Sequence, residues 1–198
     1  MTDTNKLLEI VRERGVLRAK ELDDFGIARK QLTAALEAGQ LIRLGRGIYA
    51  EADVQISPKL YLAQVCKQIP SGVVCLISAL QFHKMGTQTP SEVWIAVPGH
   101  SHRPSSSYPP IHLVEFSATT YSLGIEYSEY KQTEIRVYSP AKTVVDCFRF
   151  RNAIGLDVAL EALKDYLGKP GNTSAELMEY AVSCRISTVL KPYLEALQ

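Results

Sequence analysis

Residues 16–50, VLRAKELDDFGIARKQLTAALEAGQLIRLGRGIYA, decide the fold. The glycines divide this stretch into elements. Ala19 to Asp24 reads as a short helix, and Gly26 permits a sharp turn into a second helix from about Ala28 to Ala38. Gly39 is placed to close that helix in a left-handed conformation, which glycine adopts at little cost. Leu41–Leu44 and Gly47–Ala50 then read as two short strands around Gly45-Arg46-Gly47. Helix, turn, helix and basic hairpin in this order make a winged helix-turn-helix.

Laid out at 100° per residue, the second helix places Ala28, Leu32, Ala35 and Leu36 on one face. Lys30, Thr33, Ala34 and Glu37 point away from it, and Arg29 and Gln31 flank the apolar stripe. The basic and amide groups therefore lie in the first turn, where a recognition helix meets base edges and phosphates. Arg and Gln there have the geometry for bidentate contacts to guanine and adenine edges. The candidate DNA-binding residues are Arg29, Lys30, Gln31 and Thr33 from the helix, and Arg43 and Arg46 from the hairpin. A competing reading makes the same segment a small helical cap whose charges are merely solvated.

Working outward, 198 residues suffice for one large domain or two small ones, and 46% hydrophobic residues are ordinary for a globular core. The net charge of +1 does not advertise a nucleic-acid partner. Residues 1–50 carry nine Lys/Arg against seven Asp/Glu, so DNA affinity must come from placement of charge rather than bulk. Cys66, Cys75, Cys147 and Cys184 form no Cys-x-x-Cys pair and read as reduced, mostly buried thiols. Neither a signal peptide nor a bilayer-spanning run is recognisable, and a cytoplasmic or nucleoid-associated location is expected, with no membrane partner.

A first helix is expected from a cap at Asp3 or Thr4 to about Glu13. After the wing, a polar connection at residues 51–57 leads to Ser57-Pro58, a cap followed by a helix-starting proline. This sets the expected division: residues 1–52 as the DNA-binding head, and residues 53–198 as a second, effector domain. Beyond it, Val73–His83 is apolar nearly all round and reads as a buried helix. Glu92–Val97 and Ile111–Phe116 read as strands, and Ile125–Tyr130 with Thr133–Tyr138 as a hairpin. Helices are expected from Ser139-Pro140 to about Asn152, from Asp157 to Gly168, after the capping box Thr173–Glu176, and over Ser187–Leu197. The fold class is α+β: a winged helix-turn-helix followed by a mixed domain of helices and a small sheet.

Sites for chemistry are sparse, and no catalytic residue, metal or cofactor is expected. His100 and His102 lie in a Pro/Ser-rich loop without a third ligand at suitable spacing. Glu129-Tyr130-Lys131 matches half of a metal-dependent nuclease signature, but the upstream carboxylate that would hold Mg²⁺ has only Glu92 or Glu115 to supply it, with no Pro-Asp pair. Lys142 and Asp146 form an i,i+4 pair of reversed orientation, worth a few tenths of a kcal/mol if exposed.

Three blocks of the chain resemble the AbiEi antitoxins of type IV toxin–antitoxin systems. They are the wing Leu41–Tyr49, the pair Ser78–His83 and Glu92–Pro98, and the segment Ser139–Arg151. Ser78, His83, Lys142 and Asp146 match positions typical of that family, although structural duty accounts for them as well as function does. The resemblance implies autorepression by promoter binding through the head. It also implies counteraction of a nucleotidyltransferase toxin through the C-terminal region, without a stable complex between the two. Two other classes stay open: a stand-alone ligand-responsive winged-helix transcription factor, and a DNA-targeted nuclease.

Overall fold

The computed structural model describes residues 3–99 and 108–197, which form two compact units. The first takes in the described residues up to Ser71, together with residues 108–111 and 127–135. It opens with α1 (Asp3–Arg14), β1 (Leu17–Arg18), a 3-10 helix (Ala19–Phe25) and α2 (Arg29–Glu37). The hairpin β2 (Leu41–Gly45) and β3 (Ile48–Glu51) follows, then α3 (Pro58–Gln68). Strand order β1-β3-β2, antiparallel throughout, is the small sheet of a winged helix. Leu7 and Val11 of α1, Leu22, Ile27, Leu32 and Ala35 bury against one another as its core. Truncating one of the larger of these, such as Leu32, costs about 2–5 kcal/mol in a site that does not collapse.

The short helix expected at Ala19–Asp24 is present and is wound as a 3-10 helix. Gly26 ends it at φ +66°, and the Glu21 carboxylate accepts the Arg18 backbone N–H at 2.8 Å. Ser57 caps α3 by accepting the Leu60 N–H at 3.2 Å, with Pro58 in the first turn as the sequence signals. The tip of a later hairpin belongs to this unit too. Thr133 Oγ1 donates to Arg14 O at 2.7 Å, and the Tyr130 ring packs so close to Gly15 that a Cβ there would stand 2.7 Å from it.

The second unit centres on a five-stranded sheet of order β6-β5-β4-β8-β7. The strands of this sheet are β4 (Val73–Val74), β5 (Val93–Pro98), β6 (Ile111–Phe116), β7 (Ile125–Tyr130) and β8 (Thr133–Tyr138), residues 127–135 of the last two being the hairpin tip counted in the first unit. The helices are α4 (Leu76–Phe82), α5 (Ala118–Tyr121), α6 (Pro140–Arg149), α7 (Arg151–Ile154), α8 (Leu156–Leu167), α9 (Ser174–Ser183) and α10 (Ser187–Ala196). Helix α5 has no counterpart in the sequence reading, the helix expected to run to about Asn152 is divided into α6 and α7, and one element changes type. Val73 and Val74 are not the start of a helix but a short central strand, antiparallel to β5 and parallel to β8. A fully apolar run carries no periodicity to separate strand from helix, and the β-branched valines prefer the pleated, two-sided burial this position offers.

Helix α6 is the axis of this unit: every residue from Ala141 to Phe148 is buried. Ser139 caps it, accepting the Lys142 N–H at 3.2 Å. Among the described residues no helix is long and apolar enough to cross a membrane.

Candidate nucleic-acid interface

Helix α2 begins under unusual electrostatics. Its N-cap, Ala28, makes no side-chain cap, no acidic residue occupies the first turn, and Arg29 and Lys30 stand there instead. The exposed N–H groups and the helix dipole make this end partly positive, so two cations placed on it each forgo about 0.3–1 kcal/mol. An anion recovers that loss. Arg29, Lys30 and Thr33 are exposed, as are Ala34 and Glu37, while Leu32 and Ala35 are buried as the periodicity requires. Gln31 lies between the two faces. Its Nε2 donates to Asp3 Oδ2 of α1 at 3.3 Å, and its Oε1 is buried without a hydrogen-bond partner.

The wing is a tight hairpin turning at Arg46-Gly47, with Gly47 at φ +71°. Ala19 N–H donates to Gly47 O at 2.8 Å and pins the turn to the start of the 3-10 helix. Pairing runs Arg43 to Tyr49 and then Gly45 to Ile48, so Leu44 bulges out of the ladder. A bulged residue leaves its carbonyl without a strand partner. The Gln64 amide of α3 supplies one, donating to Leu44 O at 3.0 Å. The approach is close: a Cβ on Gly45 would stand 2.9 Å from Gln68 Nε2 and 3.2 Å from Gln64 Nε2. Helix α3 thus braces the wing. Sequence reasoning missed this role; its signal is Gln64, an amide on the α3 face otherwise made by Leu60, Ala63 and other apolar residues.

The wing arginines are both exposed, and Arg43 Nε donates to Gly45 O at 3.1 Å. Charge pairing then separates two groups of cations in this unit. Arg12 and Lys131 share Glu51, at 3.0 and 3.5 Å. Arg14 and Lys67 share Glu21. Arg29, Lys30, Arg43 and Arg46 make no ion pair among the described residues. The positive charge left unneutralised includes the first turn of α2 and the wing.

Residues 5–52 match the family model described as a transcriptional regulator, AbiEi antitoxin. Over these residues the head is similar to the AbiEi antitoxin regulators. The match ends one residue after β3, so it covers the winged helix and stops before α3. Across the chain, the fold is similar to the crystal structure of the RV2827C protein from Mycobacterium tuberculosis, with a TM-score of 0.54 and 15% identity. That similarity covers 98% of this chain and 81% of the other, and at this identity it speaks for the fold alone. No curated protein matches the sequence.

The remaining sequence candidates fall into structural roles. Ser78 Oγ accepts the Trp94 N–H at 2.9 Å, tying α4 to β5. His83 Nε2 donates to Tyr138 O at 2.7 Å, and burial lowers its pKa. Lys142 and Asp146 are not a surface pair: both are fully buried and bonded to each other, with Arg149 3.4 Å from the second carboxylate oxygen. The Lys142 ammonium also lies 4.2 Å from the centroid of the Tyr138 ring, a cation–π contact. Glu129 is exposed near the end of β7, and Lys131 sits in the turn at φ +51° with its ammonium toward Glu51. His100 and His102 lie outside the described residues.

Proposed function

We propose that the chain is an antitoxin and autorepressor of the type IV class. Residues 1–52 bind its own promoter as double-stranded DNA, and residues 53–198 counteract a nucleotidyltransferase toxin. The carrying observation is the split of cations in the head, where those of α2 and the wing stay unneutralised while others pair with Glu21 and Glu51. In this reading Arg29, Lys30 and Thr33 enter the major groove, and Arg43 and Arg46 hold flanking phosphates. Gln31, bonded to Asp3, sits at the rim of the reading face. The extent of the AbiEi match, ending at residue 52, supports the boundary of the DNA-binding segment.

The protein acts here as a binder and not as an enzyme, in keeping with a family of regulators. It works in the cytoplasm and needs neither metal nor cofactor. The test is binding of the full-length protein to the DNA upstream of its own reading frame, against a scrambled duplex of equal length. Preferential binding to the upstream fragment, with repression of a reporter placed behind it, is the expected result. Equal affinity for both duplexes together with an unrepressed reporter refutes the promoter assignment.

A further inference from the structure

A cavity of about 410 Å³ opens in the second unit. It is lined by Arg149 from the end of α6, Arg185 from the turn after α9, and the hydroxyl side chains of Ser117, Thr119, Thr120 and Ser183. None of the described lining residues carries a carboxylate. We propose that this cavity binds the phosphate group of a small phosphorylated molecule, with Arg149 and Arg185 as a pair of guanidinium donors.

The two arginines are prepared for this in different ways. Arg149 is held in place before any ligand arrives. Its guanidinium carbon lies 5.0 Å from the centroid of Phe116 and 5.3 Å from that of Phe150, and NH1 donates to Asp146 Oδ1. One bond to Asp146 leaves most of its five N–H donors available. Asp146 already has the buried Lys142 ammonium as its partner, so the Lys142–Asp146–Arg149 cluster keeps one positive charge. Arg185 is exposed, and among the described residues its side chain makes no ion pair or hydrogen bond. The turn that ends α9 presents it: Ile186 N–H bonds back to Ala181 O at 2.8 Å, and Arg185 takes the left-handed φ of +59° there.

Two planar forks lining a cleft whose described residues carry no carboxylate suit an oxyanion with several acceptors, which phosphate offers and a single carboxylate does not. Cys184 also lines the cleft. Burial raises its thiol pKa, so it stays neutral and adds no opposing charge. The volume falls in the range of about 300–1,000 Å³ typical of small-molecule sites, which leaves room for the remainder of the ligand beyond its phosphate. Such a site goes beyond promoter recognition and would make the second unit responsive to a metabolite.

Thermal unfolding of the full-length protein tests the proposal, with inorganic phosphate, adenosine monophosphate, adenosine triphosphate or adenosine added at constant ionic strength. Phosphate-bearing probes should raise Tm in a saturable, concentration-dependent way, as any ligand of the native state does, and adenosine should not. A shift with inorganic phosphate equal to that with the nucleotides identifies the free ion as sufficient; a shift with the nucleotides alone identifies a phosphorylated nucleoside. Arg185→Ala, at an exposed position, should weaken binding by at least about tenfold. Arg149→Lys, which keeps the charge and loses the fork, should weaken it as well. The Arg43→Ala/Arg46→Ala protein should respond like wild type, which separates this cavity from the head. The proposal is overturned if no phosphate-bearing probe moves Tm, if adenosine matches its monophosphate, if Arg185→Ala responds unchanged, or if the wing variant loses the response.

Discussion

Removing both wing guanidiniums, Arg43→Ala with Arg46→Ala, perturbs DNA binding in a way that salt makes measurable. Both side chains are exposed, neither has an acidic partner among the described residues, and neither belongs to the apolar core, so the variant should fold as wild type. If each arginine neutralises one phosphate, the pair releases two counterions. The slope of log K against log salt should then be shallower in the variant by about 1.8. A fourfold rise in salt, from about 50 to about 200 mM, should narrow the affinity gap between wild type and variant by about tenfold. Fluorescence anisotropy on a labelled promoter duplex at four or five salt concentrations measures both slopes. Parallel lines, or a variant with undiminished affinity, would refute the wing as a phosphate-contacting element.

Three further outcomes follow from the packing. Gly45→Ala should drive the Gln68 and Gln64 amides away from the wing, break the bond to Leu44 O, and lower stability in urea by about 1 kcal/mol. Lys142→Met should leave the fully buried Asp146 short of its main partner and destabilise the fold by about 3–5 kcal/mol at neutral pH. Burial already pushes the Asp146 carboxyl up, so its protonated form favours the folded state below the ordinary carboxylate range. The deficit in Lys142→Met should therefore shrink as pH falls and grow as pH rises through the folded pKa, read by denaturation at several pH values. His83 has the opposite sign. Burial holds its folded pKa below the free value of 6.5, so protonation favours the unfolded chain and stability falls with pH below that value; His83→Gln should flatten that acid limb.

Much of this molecule can be read from residue order because its local signals agree. Ser57-Pro58 and Ser139-Pro140 start helices where expected, and the β7–β8 hairpin spans the residues its alternation marks. The head is legible for the same reason: the α2 stripe, Gly26 and the wing glycines are all local features. What escaped reading depends on long-range placement. Val73-Val74 becomes a strand because β5 and β8 flank it, which no nearby residue announces. The i,i+4 spacing of Lys142 and Asp146 says nothing of burial, which the aromatic rings and Arg149 around them make tenable. Gln31 looks free on a helical wheel and is drawn to Asp3 by the packing of α2 on α1. The cavity draws its two arginines from positions 149 and 185, a separation that no motif spans.

Growth rescue tests the antitoxin function most directly. The cognate nucleotidyltransferase toxin should be induced together with the full-length protein or its Arg43→Ala/Arg46→Ala variant, each from a foreign promoter at matched expression. Both should restore growth, because neutralisation is assigned to residues 53–198 and not to the DNA-reading side chains. Continued arrest with the wild-type protein would contradict the antitoxin reading. Rescue by wild type but not by the folded variant would show that neutralisation requires the head.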